Sequence, residues 1–462
     1  MNNYAKAIAV ACGVVFWAAS AISHGAELKD LLLKANTDRE NPISYKVGEK
    51  IRFDFFLDGV KDLPVEAAAK APLKVKWVRT GDDGKSESGI GDISLDNGFS
   101  VETSLDIPGI VRIEARLVGS DMSGFDSVDQ RSGLEKGILF SGGAGVETEK
   151  MMLTTKEPDD FDAFWEEAKR RLATVPFEGR VKRVDVTPDK LKGKYSVWAV
   201  EIPCFGPRPA TGWLTMPANA NPGSLPAMGI FDGYNGNNFG VPKVPEHVTG
   251  SNIRLHINAH GYEMVGHDAQ YYREFGNKVN GVVPGAAKQR ATYAIEPSDY
   301  DNPKDTYMYY MAMRVMRAFD YLKTLPEWDG KTLISGGGSQ GGLQAMWAAG
   351  LVDGLSDARP CITWGCDVGC PRDGGGPYPS RRLGLPPVPG AFYFDAALHA
   401  KRVPTTCKVE ITRLGLGDYI CPPRGVLLSY YNMKCPVKAY LVQGSTHGYV
   451  PPGRNQTFTI EK

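Results

Sequence analysis

The sequence carries no excess charge of either sign. Lys plus Arg and Asp plus Glu each number 53 in 462 residues. The basic residues are scattered rather than gathered, which argues against a nucleic-acid partner. Histidine is scarce, at seven, so imidazole chemistry has few places to reside. No paired C-x-x-C occurs. Cys361, Cys366 and Cys370 fall close together but lack that spacing and a neighbouring histidine, so no metal site is expected there. No internal repeat is visible, which excludes solenoid and propeller architectures. Beyond the N-terminus no apolar run is long enough to cross a membrane.

What the N-terminus does have is a leader. "MNNYAKAIAVACGVVFWAASAISHGAELKD" carries a Lys at position 6, an apolar run from Ala7 to Ile22, and then small residues. This pattern reads as a secretory signal peptide over residues 1–26, with cleavage after Ala21 or Ala26. The run is shorter than the roughly 20 residues of a spanning helix, so no membrane span is expected after cleavage. A periplasmic or extracellular location follows. Export permits disulfides. The seven remaining cysteines, Cys204, Cys361, Cys366, Cys370, Cys407, Cys421 and Cys435, predict one or two bridges and at least one unpaired thiol.

Two textures follow the leader. From 27 to 140 the apolar residues alternate: Ile51, Phe53 and Phe55; Leu73, Val75 and Trp77; Val111, Ile113, Ala115 and Leu117. Period-two runs separated by Asp/Gly turns describe a small all-β sandwich, immunoglobulin-like in kind. The glycine-rich "SGGAGVETEK", 141–150, reads as a linker. From 151 to 462 short apolar strands ("AMGIF", "RLHINA", "TLISG", "KVEITRLG", "VKAYLVQG") alternate with helical patterns such as "EPDDFDAFWEEAKRRL" and "TYMYYMAMRVMRAFDYLKTL". That alternation predicts an α/β domain with a mainly parallel sheet flanked by helices, whose function gathers where strands end.

One such strand end stands out. "TLISGGGSQGGLQAMWAAG" puts Gly337-Gly338-Ser339-Gln340-Gly341, a G-x-S-x-G, between a strand and a helix. In this context the serine occupies a strained turn, and side chains two residues to either side would collide with the neighbouring backbone. A serine hydroxyl needs a histidine to take its proton, and the histidine needs a carboxylate to orient it. In the order Ser, acid, His, the chain offers Asp418 at the end of "VEITRLGLGD" and His447 at the end of "VKAYLVQGSTH". Rival acids are Asp367, after "PCITWGC", and Asp395, which reads as a helix residue. The other histidine after Ser339 is His399, in a helix-like run. Backbone donors for an oxyanion are expected from Gln340, directly after the serine, and from Tyr234 in "GIFDGYNGNN". Tyr262 and Tyr449 are expected to offer aromatic surface to a substrate.

With these residues in view, the chain from about Met151 onward resembles the acetyl xylan esterase and cephalosporin C deacetylase family, carbohydrate esterase family seven. The resemblance rests on "EPDDFDAFWEEA", "DGYNG", "MRAFDYLKTLPEWDGKTLISGGGSQGGLQA" and "LGLGDYICPP". It implies an α/β-hydrolase fold and a metal-free, cofactor-free serine esterase acting on acetylated carbohydrate. It further implies Ser339 as nucleophile, Asp418 as acid, His447 as base, the Tyr234 and Gln340 amides as oxyanion hole, and a homo-oligomer. The chain departs from the family at Asp232 of Asp232-Gly233-Tyr234, at His260-Gly261-Tyr262 where the family has Arg-Gly-Gln, and at Gly448 after His447.

Overall fold

The alternating runs near the start of the chain become strands, as their period of two requires. In the computed structural model they are β1 (Leu32–Thr37), β2 (Ile51–Asp58), β3 (Leu73–Gly81), β4 (Ser86–Ile93), β5 (Phe99–Thr103), β6 (Gly109–Val118) and β7 (Leu139–Val146). The structure describes residues 31–58, 73–122, 124, 137–234, 240–279, 293–370, 384–452 and 457–462. The expected leader lies outside them, as does most of the Gly/Pro-rich segment after Cys370. The seven strands make two antiparallel sheets, β1-β2-β5 and β4-β3-β6-β7, the division found in immunoglobulin-type sandwiches. Ile51, Phe53 and Phe55 meet Val75, Val111, Ile113 and Leu117 in one core. Each such side chain taken from water contributes about 1.5–3 kcal/mol.

β6 is buried along one face and, at Ile110 and Arg112, on the other as well. Its expected inward residues fill the sandwich, while Ile110, on the opposite face, joins the core of the α/β domain. The segment expected as a linker is also corrected. Ser141–Val146 belong to β7, every residue of which is buried, and a short 3-10 turn follows at Thr148–Lys150. Its glycines permit close approach rather than flexibility. A Cβ on Gly143 would sit 2.7 Å from the Val111 carbonyl oxygen and 3.0 Å from that of Leu416.

The α/β domain opens with α1 (Phe161–Ala173), whose Phe161, Trp165, Ala168 and Leu172 are buried along one stripe, with Arg170 and Arg171 in the last turn. Then come β8 (Lys182–Asp185), β9 (Tyr195–Ile202), β10 (Ala210–Pro217), β11 (Leu225–Phe231), β12 (Ile253–Asn258), α2 (Ala269–Val279), α3 (Tyr307–Leu322), β13 (Trp328–Gly338) and α4 (Gln340–Leu351). The chain closes with β14 (Asp357–Cys361), α5 (Pro389–Phe392), α6 (Ala396–Ala400), β15 (Lys408–Gly415), α7 (Pro423–Asn432), β16 (Val437–Val442) and β17 (Thr457–Glu461). The ten strands form one sheet in the order β17-β16-β15-β14-β13-β11-β12-β10-β9-β8. From β16 to β12 every neighbour is parallel, and antiparallel strands complete both edges. This is the α/β-hydrolase fold preceded by an all-β sandwich.

Thr306 caps α3 by accepting a hydrogen bond from the Tyr309 amide at 2.9 Å. The stripe Met308, Met311, Val315, Phe319 and Leu322 is fully buried, so the methionine-rich face is core. The expected disulfides are absent: all seven described cysteines are free thiols. Cys361, Cys407, Cys421 and Cys435 are buried in the apolar core and pack as small hydrophobic side chains.

Candidate active site

The strand β13 ends at Gly338, and α4 begins at Gln340, so Ser339 alone makes the turn. Its φ of 58° and ψ of −119° lie outside the regions an L-residue adopts freely. Three backbone hydrogen bonds hold it there. The Ser339 amide donates to the Cys361 carbonyl at 2.9 Å, and the Ser339 carbonyl accepts from Leu343 and Trp364 at 3.1 Å each. The flanking glycines are demanded by contact. A Cβ on Gly337 would stand 2.6 Å from the Phe231 carbonyl oxygen, and one on Gly341 would stand 2.3 Å from it. The strand before the serine, the helix after it and the end of β11 are thus pressed together. Ser339 itself stays partly exposed, within reach of a ligand.

Asp418 follows β15 and is fully buried. Its Oδ1 accepts from the Ile420 and Cys421 amides at 2.9 Å each, and its Oδ2 lies 3.0 Å from His447 Nδ1. Two fixed N–H donors orient the carboxylate, which leaves the other oxygen for the imidazole. His447 follows β16 and is 21% exposed at its side chain, and the Arg413 guanidinium donates to its carbonyl. Cys421 lies beside these groups. Burial pushes its thiol well above the usual range, and the neighbouring Ser339 side chain opposes that shift. Asp418, Cys421 and His447 present ligand atoms within 4.8 Å of one another, a set a thiophilic cation can use. The carboxylate oxygens are already engaged by two amides and the imidazole.

The turn after β11 reaches the same place. A Cβ on Gly233 would lie 3.6 Å from Ser339 Cβ, which puts the Asp232-Gly233-Tyr234 turn beside the serine. The Tyr234 ring stacks on Tyr293, with centroids 4.7 Å apart and planes at 9°, and meets the edge of Trp364. Tyr293 in turn donates from its hydroxyl to the Gln340 side-chain oxygen. One buried ring therefore braces both residues from which oxyanion donors are expected. Neither Tyr293 nor Trp364 was singled out by the sequence reading. Trp364 lies three residues beyond the end of β14 at Cys361. No spacing tied Tyr293 to either residue.

The rival residues have other work. Asp367, at a φ of 53°, accepts from the Thr154 and Thr155 amides at 2.7 and 2.9 Å. Asp395 caps α6 through the Ala397 amide and accepts from Thr155 Oγ1 at 2.6 Å. Burial raises its carboxyl to about 6. His399 sits among Phe161, Trp165 and Trp347, and burial lowers it to about 3, so it is held neutral. Tyr262 packs on Tyr272 and Phe275 and stacks on His260, whose ring meets Tyr293, the ring stacked on Tyr234. Tyr449 is half-buried, and its carbonyl accepts from Ser445 Oγ and the Thr446 amide. A cleft of about 490 Å³ lined by Lys408, Glu410, Lys438 and Lys462 opens at the starting ends of β15 and β16, the opposite edge from these residues.

Residues 147–369 match the protein-family model described as acetyl xylan esterase (AXE1), a span that includes Tyr234, Ser339 and Gln340. The acetyl esterase Axe7A of Xylanibacter ruminicola is 26% identical over 318 residues, 66% of this chain. The match spans 66% of that curated relative's own length. An acetyl xylan esterase from Paenibacillus sp. R4 aligns at 22% identity and a TM-score of 0.48, covering 66% of this chain and 94% of its own. Acetyl xylan esterase 1 from Thermoanaerobacterium sp. aligns at 15% identity and a TM-score of 0.47, covering 67% and 93%. Among the described residues no helix is long and apolar enough to cross a membrane. By its family-model match over residues 147–369 and its curated relative, the α/β domain of this chain is similar to acetyl xylan esterases.

Proposed function

We propose that this chain is an exported serine esterase that removes acetyl groups from carbohydrate esters such as acetylated xylan or xylo-oligosaccharides. The observation that carries the reading is the strained Ser339 turn, with the buried Asp418 3.0 Å from His447 on adjacent strand ends. In this reading His447 Nε2 takes the Ser339 proton as Oγ attacks the ester carbonyl carbon. The oxyanion accepts hydrogen bonds from the Gln340 and Tyr234 amides. As the intermediate collapses, the C–O bond to the sugar breaks, and His447 gives its proton to the departing sugar oxygen. A water then loses a proton to His447 and attacks the acyl-enzyme, and acetate leaves as Ser339 is restored. Asp418 keeps the Nδ1 proton in place, so that Nε2 is the basic nitrogen. Tyr449 and Tyr262 contribute aromatic surface on the sugar side.

The test is acetate release from acetylated xylan and from a chromogenic acetate ester, with Ser339→Ala as the control. Activity on both, lost by roughly a thousandfold or more in the variant, is the expected result. Activity on the small ester alone keeps the chemistry and moves the natural substrate away from xylan. A folded wild-type protein inert on both overturns the reading.

A further inference from the structure

The all-β sandwich does not hang from the α/β domain; its last strand is built against the two loops that carry Asp418 and His447. β7 is the outer strand of its sheet, bonded along one side to β6. On its open side, Gly145 is satisfied by Pro42 and Tyr45 from the sandwich itself. Gly143 is satisfied by the α/β domain. The Gly143 amide donates to Gln443 Oε1, and Gln443 Nε2 donates back to the Gly143 carbonyl, both at 2.9 Å. The carboxamide of Gln443, which is fully buried, thus takes the place of a neighbouring strand. Gln443 follows β16 directly, four residues before His447.

The acid loop is gripped in the same way. Ser141 Oγ donates to the Gly417 carbonyl at 3.2 Å, one residue before Asp418. The approach there leaves no space, since a Cβ on Gly417 would stand 1.8 Å from the Ser141 carbonyl oxygen. One residue after Asp418, the Tyr419 ring lies under the Arg112 guanidinium, 5.5 Å from centroid to Cζ. Arg112 also donates to Ser141 Oγ. At the start of α7, Arg424 pairs with the buried Asp82 of the sandwich at 3.4 Å.

We propose that β7 is a positioning element for the reaction. Through Gln443 and Gly417 the sandwich fixes the relative placement of base and acid, so it acts as part of the catalytic unit rather than as an appended binding module. The inference rests on the esterase reading of Ser339, Asp418 and His447. Gln443, Ser141 and Gly143 touch no substrate in it; they act through the loops.

The test uses the full chain and three variants: Gln443→Met, which keeps the side chain's length and removes both bonds; Ser141→Ala; and Gly143→Ala. Wild type and Ser339→Ala are compared first on the chromogenic acetate, which decides the esterase reading by itself. For Gln443→Met the expected result is a fall in kcat of about tenfold or more with KM within about twofold, because small misplacements of catalytic groups cost rate rather than binding. The acid limb of its pH–rate profile is expected to move. The low-field proton resonance of the His447–Asp418 hydrogen bond is expected to shift or broaden. Ser141→Ala is expected to show the same changes on a smaller scale. A folded Gln443→Met with wild-type kcat, pH profile and resonance overturns the proposal. Should Gln443→Met fail to fold, Ser141→Ala decides, and an unmoved profile and resonance there overturn it equally. If wild type hydrolyses no ester, the esterase reading falls, and the resonance alone decides whether β7 sets the Asp–His pair.

Discussion

Two glycine-rich stretches, Ser141–Val146 and Ser335–Gly342, look alike as text and do related physical work in different settings. In both, glycine is present because another part of the chain passes where a Cβ would be. At Gly337 and Gly341 that part is the end of β11 in the same sheet, and the result is a strained serine at a strand end. At Gly142 and Gly143 the intruders include Gln443 and the Leu416 carbonyl, from the loops of the other domain. Ser335–Gly342 shapes the turn that holds Ser339, and Ser141–Val146 packs on the loops that carry Asp418 and His447. Glycine density by itself reports close approach and says nothing of what approaches.

Substitutions can break the comparison. The largest effect is expected at Asp418→Asn, which keeps the shape and fixes the wrong tautomer on His447; kcat should fall about ten-thousandfold with little change in stability. Next is Gly341→Ala, whose methyl would stand 2.3 Å from the Phe231 oxygen. It should cost roughly 3 kcal/mol in denaturant unfolding and remove activity with it. Gly143→Ala, tight against two carbonyls, should cost about 2 kcal/mol and lower kcat more than it lowers thermal stability would suggest. As a control, Gly179→Ala has a φ of 69° and nothing within 4 Å of the added methyl. Backbone strain alone should cost about 1 kcal/mol there, with kcat unchanged. Equal losses at Gly143 and Gly179 would remove the special role of close approach in Ser141–Val146.

Two buried groups, one in each domain, also titrate in opposite directions. Asp82, buried at the contact with Arg424, has its carboxyl raised by burial from 3.8 to about 6. A raised acid contributes stability that is present below pH 3.8 and lost as pH climbs through about 6. In the α/β core, His399 is lowered by burial from 6.5 to about 3. Its contribution is full above pH 6.5 and lost as pH falls towards 3. Urea midpoints measured across pH 3–7 should show a flatter decline between about 4 and 6 in Asp82→Asn, and a flatter acid loss in His399→Gln. An unchanged slope in either would remove that group from the balance.

Much of the α/β domain was legible because each signal was local. "KVEITRLG" alternates along one strand and became β15 without change at either end. Ser339 announced itself through glycines that must sit within two residues of it. The order of Ser339, Asp418 and His447 along the chain singled out an acid and a histidine that lie 3.0 Å apart in the structure. Two errors had one origin. The linker expected at 141–150 and the disulfides expected among seven cysteines both depend on what lies across space, which no window of sequence contains. Tyr293 was missed for the same reason, since its partners Tyr234 and Gln340 stand 59 and 47 positions away.

The sequence by itself determined the two textures, the strand and helix periods, and the residue types that a serine, acid and base chemistry requires, because these rest on contacts between near neighbours. Only the tertiary structure decided that Asp418 turns one oxygen to His447 and the other to two amides, that Cys421 packs as a free thiol beside Ser339, and that β7 closes on the loops of the other domain. Those arrangements depend on which backbones come within hydrogen-bonding distance after the chain has folded, and residues hundreds of positions apart carry no mark of one another until it has.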